Sequence, residues 1–119
     1  MGKKKLDCNK PVKAALEVLG YHVAKVEHWN AFARIRQDMF GWVDFVAVRS
    51  FITDERPLFL QVTSRANISA RIKKAKALPV FEHCSANAEC YVVGCDKADG
   101  KIRLKWVRIN GEPFEEKPE

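Results

Sequence analysis

No apolar run in this 119-residue chain approaches the roughly 20 residues needed to span a bilayer as a helix. A membrane helix is therefore not expected. The Met1-Gly2-Lys3-Lys4-Lys5 start lacks the apolar segment of a signal peptide, so a cytoplasmic location is expected. There is no internal repeat and no low-complexity tract. The reading is of one domain over 1–119, with a basic tail at 1–7 and a loose tail at 111–119. The four cysteines, Cys8, Cys84, Cys90 and Cys95, show no C-x-x-C spacing. His83 beside Cys84 matches no standard zinc-ligand pattern, and the thiols read as reduced and mostly buried.

What the chain does have is apolar residue and positive charge. At 47% apolar it can build a core, and at 30% charged it should be soluble. The formal net charge of +6 points to a polyanionic partner: DNA, RNA or an anionic membrane surface.

Hydrophobic periodicity organises the chain. Asn9 before Lys10-Pro11 reads as a helix cap, with Val12, Ala15, Leu16 and Leu19 at helical spacing and Gly20 as the stop. Tyr21 to Val26 alternates as a strand, and 27–33 reads as a loop. Residues 34–38 lead into a second strand at 43–49. The charged turn Thr53 to Pro57 is too short for a crossover helix and joins this strand to a third at Leu58 to Ser64, as an antiparallel hairpin. Ile68, Ile72 and Ala75 define a second helix, ended by Pro79. Cys90 to Cys95 and Ile102 to Ile109 are two further strands joined at Asp99-Gly100, a hairpin signal. The sum is an α/β domain: a central mixed sheet flanked by helices, an αβββαβ core plus a C-terminal strand.

Two strands carry a polar residue where apolar ones are expected. Asp44 opens Val43 to Val48, and Gln61 and Thr63 sit in Leu58 to Ser64. An acid and an amide at the ends of adjacent strands can hold a divalent cation through oxygen. Gln61 and Thr63 also alternate with Leu60 and Val62, so a solvent-facing role stays open. Asp38 could add a carboxylate, or pair with Arg34 or Arg36. Arg34, Arg36, Arg71, Lys73 and Lys74 could contact phosphate, or be ordinary solvated charges.

The segment Arg36-Gln37-Asp38-Met39-Phe40-Gly41-Trp42-Val43-Asp44, with the Gln61-Val62-Thr63 triplet and this element order, resembles the PD-(D/E)XK nuclease superfamily. That is the restriction-endonuclease-like fold, which includes Holliday junction resolvases and Mrr-type enzymes. The resemblance covers residues 10–95. It implies a Mg²⁺- or Mn²⁺-dependent DNA endonuclease, acting on branched or junction DNA in a bacterial or phage-infected cell. By that resemblance Asp44 is the metal-binding aspartate, and Gln61 stands where most members have Asp or Glu. The Val62 carbonyl and Asp38 complete the metal set. Thr63 stands where the family has lysine. The missing cation would come from Lys74 or Arg71, one turn apart on the second helix. Glu17 is a poor substitute for an early-helix glutamate.

The resemblance also leaves room for a homodimer suited to two symmetric cuts. Two alternatives remain: a catalytically inactive nuclease-fold DNA-binding protein, and a small phage accessory or interaction protein.

Overall fold

In the computed structural model, which describes residues 7–49 and 56–110, the chain forms a five-stranded mixed sheet flanked by three helices. The tail at 1–6, most of the charged turn at 53–57 and the tail at 111–119 lie outside the described residues. Helix α1 (Asn9–Val18) is followed by β1 (His22–Lys25), β2 (His28–Asn30) and β3 (Ile35–Gln37). Next come β4 (Phe45–Val48), β5 (Leu58–Ser64), α2 (Ile68–Lys76), α3 (Phe81–Asn87), β6 (Glu89–Ala98) and β7 (Lys101–Arg108). None of these helices is long and apolar enough to cross a membrane.

Spatial order in the main sheet is β1-β4-β5-β6-β7. The pairs β1/β4 and β4/β5 are antiparallel, and β5/β6 is parallel. A parallel pair cannot be joined by a tight turn and needs a crossover. Here α2 and α3 supply it. The β6/β7 pair closes on a two-residue loop, with Asp99 and Gly100 at φ 52° and 77°. Positive φ at both central residues is the type I′ geometry that matches strand twist.

Period-two alternation sends successive side chains to opposite faces. Phe45, Ala47, Leu58, Leu60 and Val93 face α1, where they pack against Val12 and Leu16. Val46, Phe59, Cys90 and Val92 face the other way, against Ile68, Ile72 and Ala75 of α2 and Cys84 of α3. On that face a Cβ at Gly94 would lie 2.6 Å from the Ile68 side chain and 2.9 Å from the Arg65 Cα. Only glycine lets the crossover lie this close to β6.

Several expectations are corrected. The segment 27–38, read as loop and lead-in, is a β2–β3 hairpin outside the main sheet. A third helix follows Pro79. Asn9 is the first helical residue and Cys8 takes the cap position; the Asn9 N–H donates to Asp7 Oδ1 at 3.0 Å. Asn110, the residue just before the tail read as loose at 111–119, is buried. It accepts from the Cys90 N–H at 2.9 Å and donates to the Ser85 and Ala88 carbonyls at 3.1 and 2.9 Å. The thiol expectation fails for one pair. Cys8 and Cys95 form a disulfide across 87 residues of sequence, pinning the start of α1 to β6, while Cys84 and Cys90 are free and buried.

Two outcomes follow for stability. Gly94→Ala should cost about 1–3 kcal/mol, because the overlap must be relieved by moving a helix; an unchanged urea midpoint would contradict this packing. Cys8→Ser should cost about 2–4 kcal/mol by freeing a long loop in the unfolded chain, read as a lower thermal midpoint that reductant reproduces in the wild type.

Candidate metal centre

Asp44 lies just before β4, where the β4/β5 ladder ends. Its N–H donates to the Leu60 carbonyl at 2.8 Å, and its carboxylate Oδ2 accepts from the Val62 N–H at 2.9 Å. The side chain thus takes the place of a backbone acceptor, and Asp44 grips β5 on both sides of Gln61. Its own carbonyl accepts from Val26 N–H at 2.8 Å, which carries the β1 pairing one residue further and delivers Glu27 beside it.

From Glu27 the chain leaves through β2, returns through β3 and arrives at Asp38. A tight reversal then brings it back to Asp44. Trp42 N–H donates to the Met39 carbonyl at 3.2 Å, with Phe40 and Gly41 at φ 57° and 85°. Met39 and Val43 bridge across this turn. Oxygen atoms of Glu27, Asp38 and Asp44 consequently lie within 4.8 Å of one another.

The electrostatics reflect that crowding. Asp44 is 8% exposed, and its pKa is raised to about 7. Burial is the largest cause; the charges of Asp38 and Glu27 and a hydrogen bond with Asp38 add to it, and the Val62 N–H opposes it. Lys25 reaches the edge of the cluster, with its Nζ 3.7 Å from Glu27 Oε1.

The structure brings together Asp44 and Asp38 from the sequence reading, with Val62 bound directly to Asp44. Gln61 and Thr63 are buried at 5% and 8% exposure, which removes the solvent-facing alternative. By alternation with Phe59 they lie on the face covered by α2 and α3. The Val62 contact seen is its N–H. Strand geometry directs N–H and C=O of one residue to the same edge, so its carbonyl faces the Asp44 side too. Arg71, half-buried, and Lys73 and Lys74, exposed, make no ion pair with the three carboxylates among the described residues. Arg34 is exposed at the tip of the β2–β3 hairpin, and Arg36 lies in β3. Glu17 pairs with Lys13 at 3.7 Å on α1, against the opposite face of the sheet, and takes no part.

Glu27 and Lys25 were missed. The signal available was an acid and a base flanking Val26 at the end of a strand. Which strand lay beside it was not readable.

A carboxylate held near 7 in the fold and near 4 in the unfolded chain keeps a proton in that window that the unfolded chain has lost. Stability therefore falls as pH rises through it. The metal-free protein should lose thermal stability from about pH 5 to about pH 7.5. Asp44→Asn should flatten that slope and melt above the wild type at the upper end. A wild-type midpoint indifferent to pH, or parallel slopes in the two proteins, would refute the shifted carboxylate. Comparison with protein-family models, with curated proteins and with solved structures finds no match to this chain.

Proposed function

We propose that the chain is a metal-dependent DNA endonuclease domain of the PD-(D/E)XK type. The observation that carries this reading is the convergence of Glu27, Asp38 and Asp44, with oxygen atoms within 4.8 Å, where the β4/β5 ladder ends. The αβββαβ order of the main sheet supports it.

The donor set suits a hard cation. All three side chains offer oxygen, as Mg²⁺ and Mn²⁺ prefer. Asp44, Asp38 and Glu27 would hold the ion, with the Gln61 amide oxygen and the Val62 carbonyl as neutral donors. The raised Asp44 pKa supports the same reading, since three crowded carboxylates resist full ionisation until a cation offsets them. Bound there, Mg²⁺ or Mn²⁺ would supply a reactive water and screen phosphate charge.

The remaining work falls to the chain. Val62 N–H fixes the Asp44 carboxylate so that it need not reorganise. Lys25, whose Nζ lies 3.7 Å from Glu27 Oε1, takes over part of the role that lysine would have at Thr63. Arg71, Lys73 and Lys74 on α2, with Arg34 and Arg36 on the hairpin, hold the DNA backbone. Lys74 remains a candidate to complete the site with substrate present. A homodimer would suit a junction substrate with two symmetric cuts. Such a domain would work in the cytoplasm of a bacterial or phage-infected cell, where the Cys8–Cys95 bond would meet reductants.

A second reading is a binding-only domain. Thr63 favours it, since its hydroxyl supplies no charge and Lys25 is already paired to Glu27. The two separate on linear, flapped and four-way-junction DNA with Mg²⁺ or Mn²⁺ and an EDTA control. The nuclease reading expects metal-dependent cutting, reduced about 100-fold or more in Asp44→Ala, with DNA affinity kept. Cutting that survives this substitution would sink the site. Binding without cutting would select the second reading.

A further inference from the structure

Strand β7 is the last strand of the main sheet and pairs with β6 alone. Alternation splits its side chains between the two faces. Leu104 and Trp106 pack on the α1 side, with Ile102 on the same side. Val107 packs on the other side, under α2 and α3, and Lys105, Arg103 and Lys101 recur there at every second position. All three cations are exposed. Lys101 and Lys105 have no carboxylate partner among the described residues. Arg103 is held by Asp96, directly across the pair: its Nε donates to Oδ1 at 3.0 Å and its Nη2 to Oδ2 at 2.7 Å. Arg65 comes within 4.0 Å of the same carboxylate. A guanidinium carries five N–H groups, so this fork leaves donors unused while it fixes their direction. The strip lies toward the same end of the sheet as the carboxylates. Thr63, Gly94 and Lys105 are cross-strand neighbours, two residues beyond the level of Gln61, which Asp44 brackets. Arg103 and Lys101 continue past the end of β5. From β4 to β7 is three strand spacings, about 14 Å.

We propose that Lys101, Arg103 and Lys105 form a track for the phosphate backbone of duplex DNA, on the α2 face of the sheet and beside the carboxylate end. The inference rests on the DNA substrate of the nuclease reading and extends its contact surface to a strand which that reading does not use. Residues i and i+2 of an antiparallel strand are about 6.8 Å apart. Phosphates along one strand of a duplex rise by about 3.4 Å each. The three cations therefore match every second phosphate in rise, and Lys101 to Lys105 covers the rise of about four base pairs. Such contacts carry no sequence information; they set the register and orientation of the duplex. Duplex is favoured over single strand because this face offers no ring on which an unpaired base could stack. On it β7 presents Lys101, Arg103, Lys105 and Val107, and β6 presents Val92, Gly94, Asp96 and Ala98. A second copy of the chain is disfavoured along this edge. Antiparallel pairing of β7 with itself would set Lys and Arg opposite Lys and Arg, and like charges directly opposite repel.

The test measures affinity of the full chain for a short random-sequence duplex, in EDTA, over a series of salt concentrations. Lys101→Ala with Lys105→Ala should lower the slope of log affinity against log salt by about 1.8, at about 0.9 per phosphate, and weaken binding about tenfold or more at low salt. Lys10→Ala with Lys13→Ala removes the same charge from exposed positions on α1, over the opposite face. That pair should change the slope by less than about 0.5. Asp96→Ala with Arg103→Ala leaves the net charge unchanged and should still lower the slope by about 0.9. Thermal midpoints check that the substitutions leave the fold intact. Equal effects of the two lysine pairs would reduce the track to net charge and overturn it. No effect of the β7 pair would overturn it too, leaving its lysines to guard the strand edge against pairing. Single strand bound as tightly as duplex, or polyglutamate displacing the protein as readily as duplex of equal charge, would also overturn it. Adding Mg²⁺ or Mn²⁺ separates the two proposals. Cutting that is indifferent to the β7 substitutions would leave the nuclease and remove the track. Duplex binding that depends on β7, without cutting, would keep the track and remove the nuclease.

Discussion

The hydrogen bond from Val62 N–H to the Asp44 carboxylate is the contact around which the rest of this structure is arranged. It places a side-chain carboxyl where a backbone carbonyl would continue the ladder. The β4/β5 pairing stops there, and the chain before Asp44 is free to turn away. That freedom is used by the tight Phe40-Gly41 reversal and, beyond it, by the β2–β3 hairpin. The neighbouring strand is held by the same residue, through Val26 N–H on the Asp44 carbonyl. One aspartate thus fixes where three chain segments meet and which other acids stand beside it.

Such a site works against the fold that carries it. Bringing Glu27 and Asp38 against a buried Asp44 leaves a carboxyl that titrates at about 7, and its ionisation at neutral pH costs stability. The scaffold offsets that cost elsewhere. Both faces of the sheet are covered, one by α1 and the other by α2 and α3. The Cys8–Cys95 bond holds α1 in place, and Asn110 ties the end of β7 to α3 with its polar atoms satisfied. Buried amides are tolerable only when so paired. The strain is concentrated at one end of the sheet, where carboxylates, left-handed residues and exposed aromatic rings occur together.

Most of the frame was legible because it obeys simple periodicities. Val12 and Leu16 at helical spacing, the apolar run of β5 and the Asp99-Gly100 turn are local signals, and the structure follows them. The hairpin at 28–37 was not legible. Its three-residue strands are too short for alternation to register, and its partner strand lies within the same polar stretch. Helix α3 was hidden because Pro79 ends one helix in a position that also suits the start of another. The burial of Asn110 was hidden because its partners, Ser85, Ala88 and Cys90, are more than 19 positions away in sequence.

The sequence by itself determined the α/β class, the element order through the main sheet, and Asp44 as the polar residue out of place at the head of a strand. Those follow from interactions within a few residues of each other. Tertiary structure alone decided that Glu27 joins Asp38 and Asp44, that Gln61 and Thr63 are buried, that Lys25 reaches the cluster, and that Cys8 meets Cys95. Each of these depends on which strand lies beside which. Strand order is set by how the helices cover the two faces, and no local spacing records it.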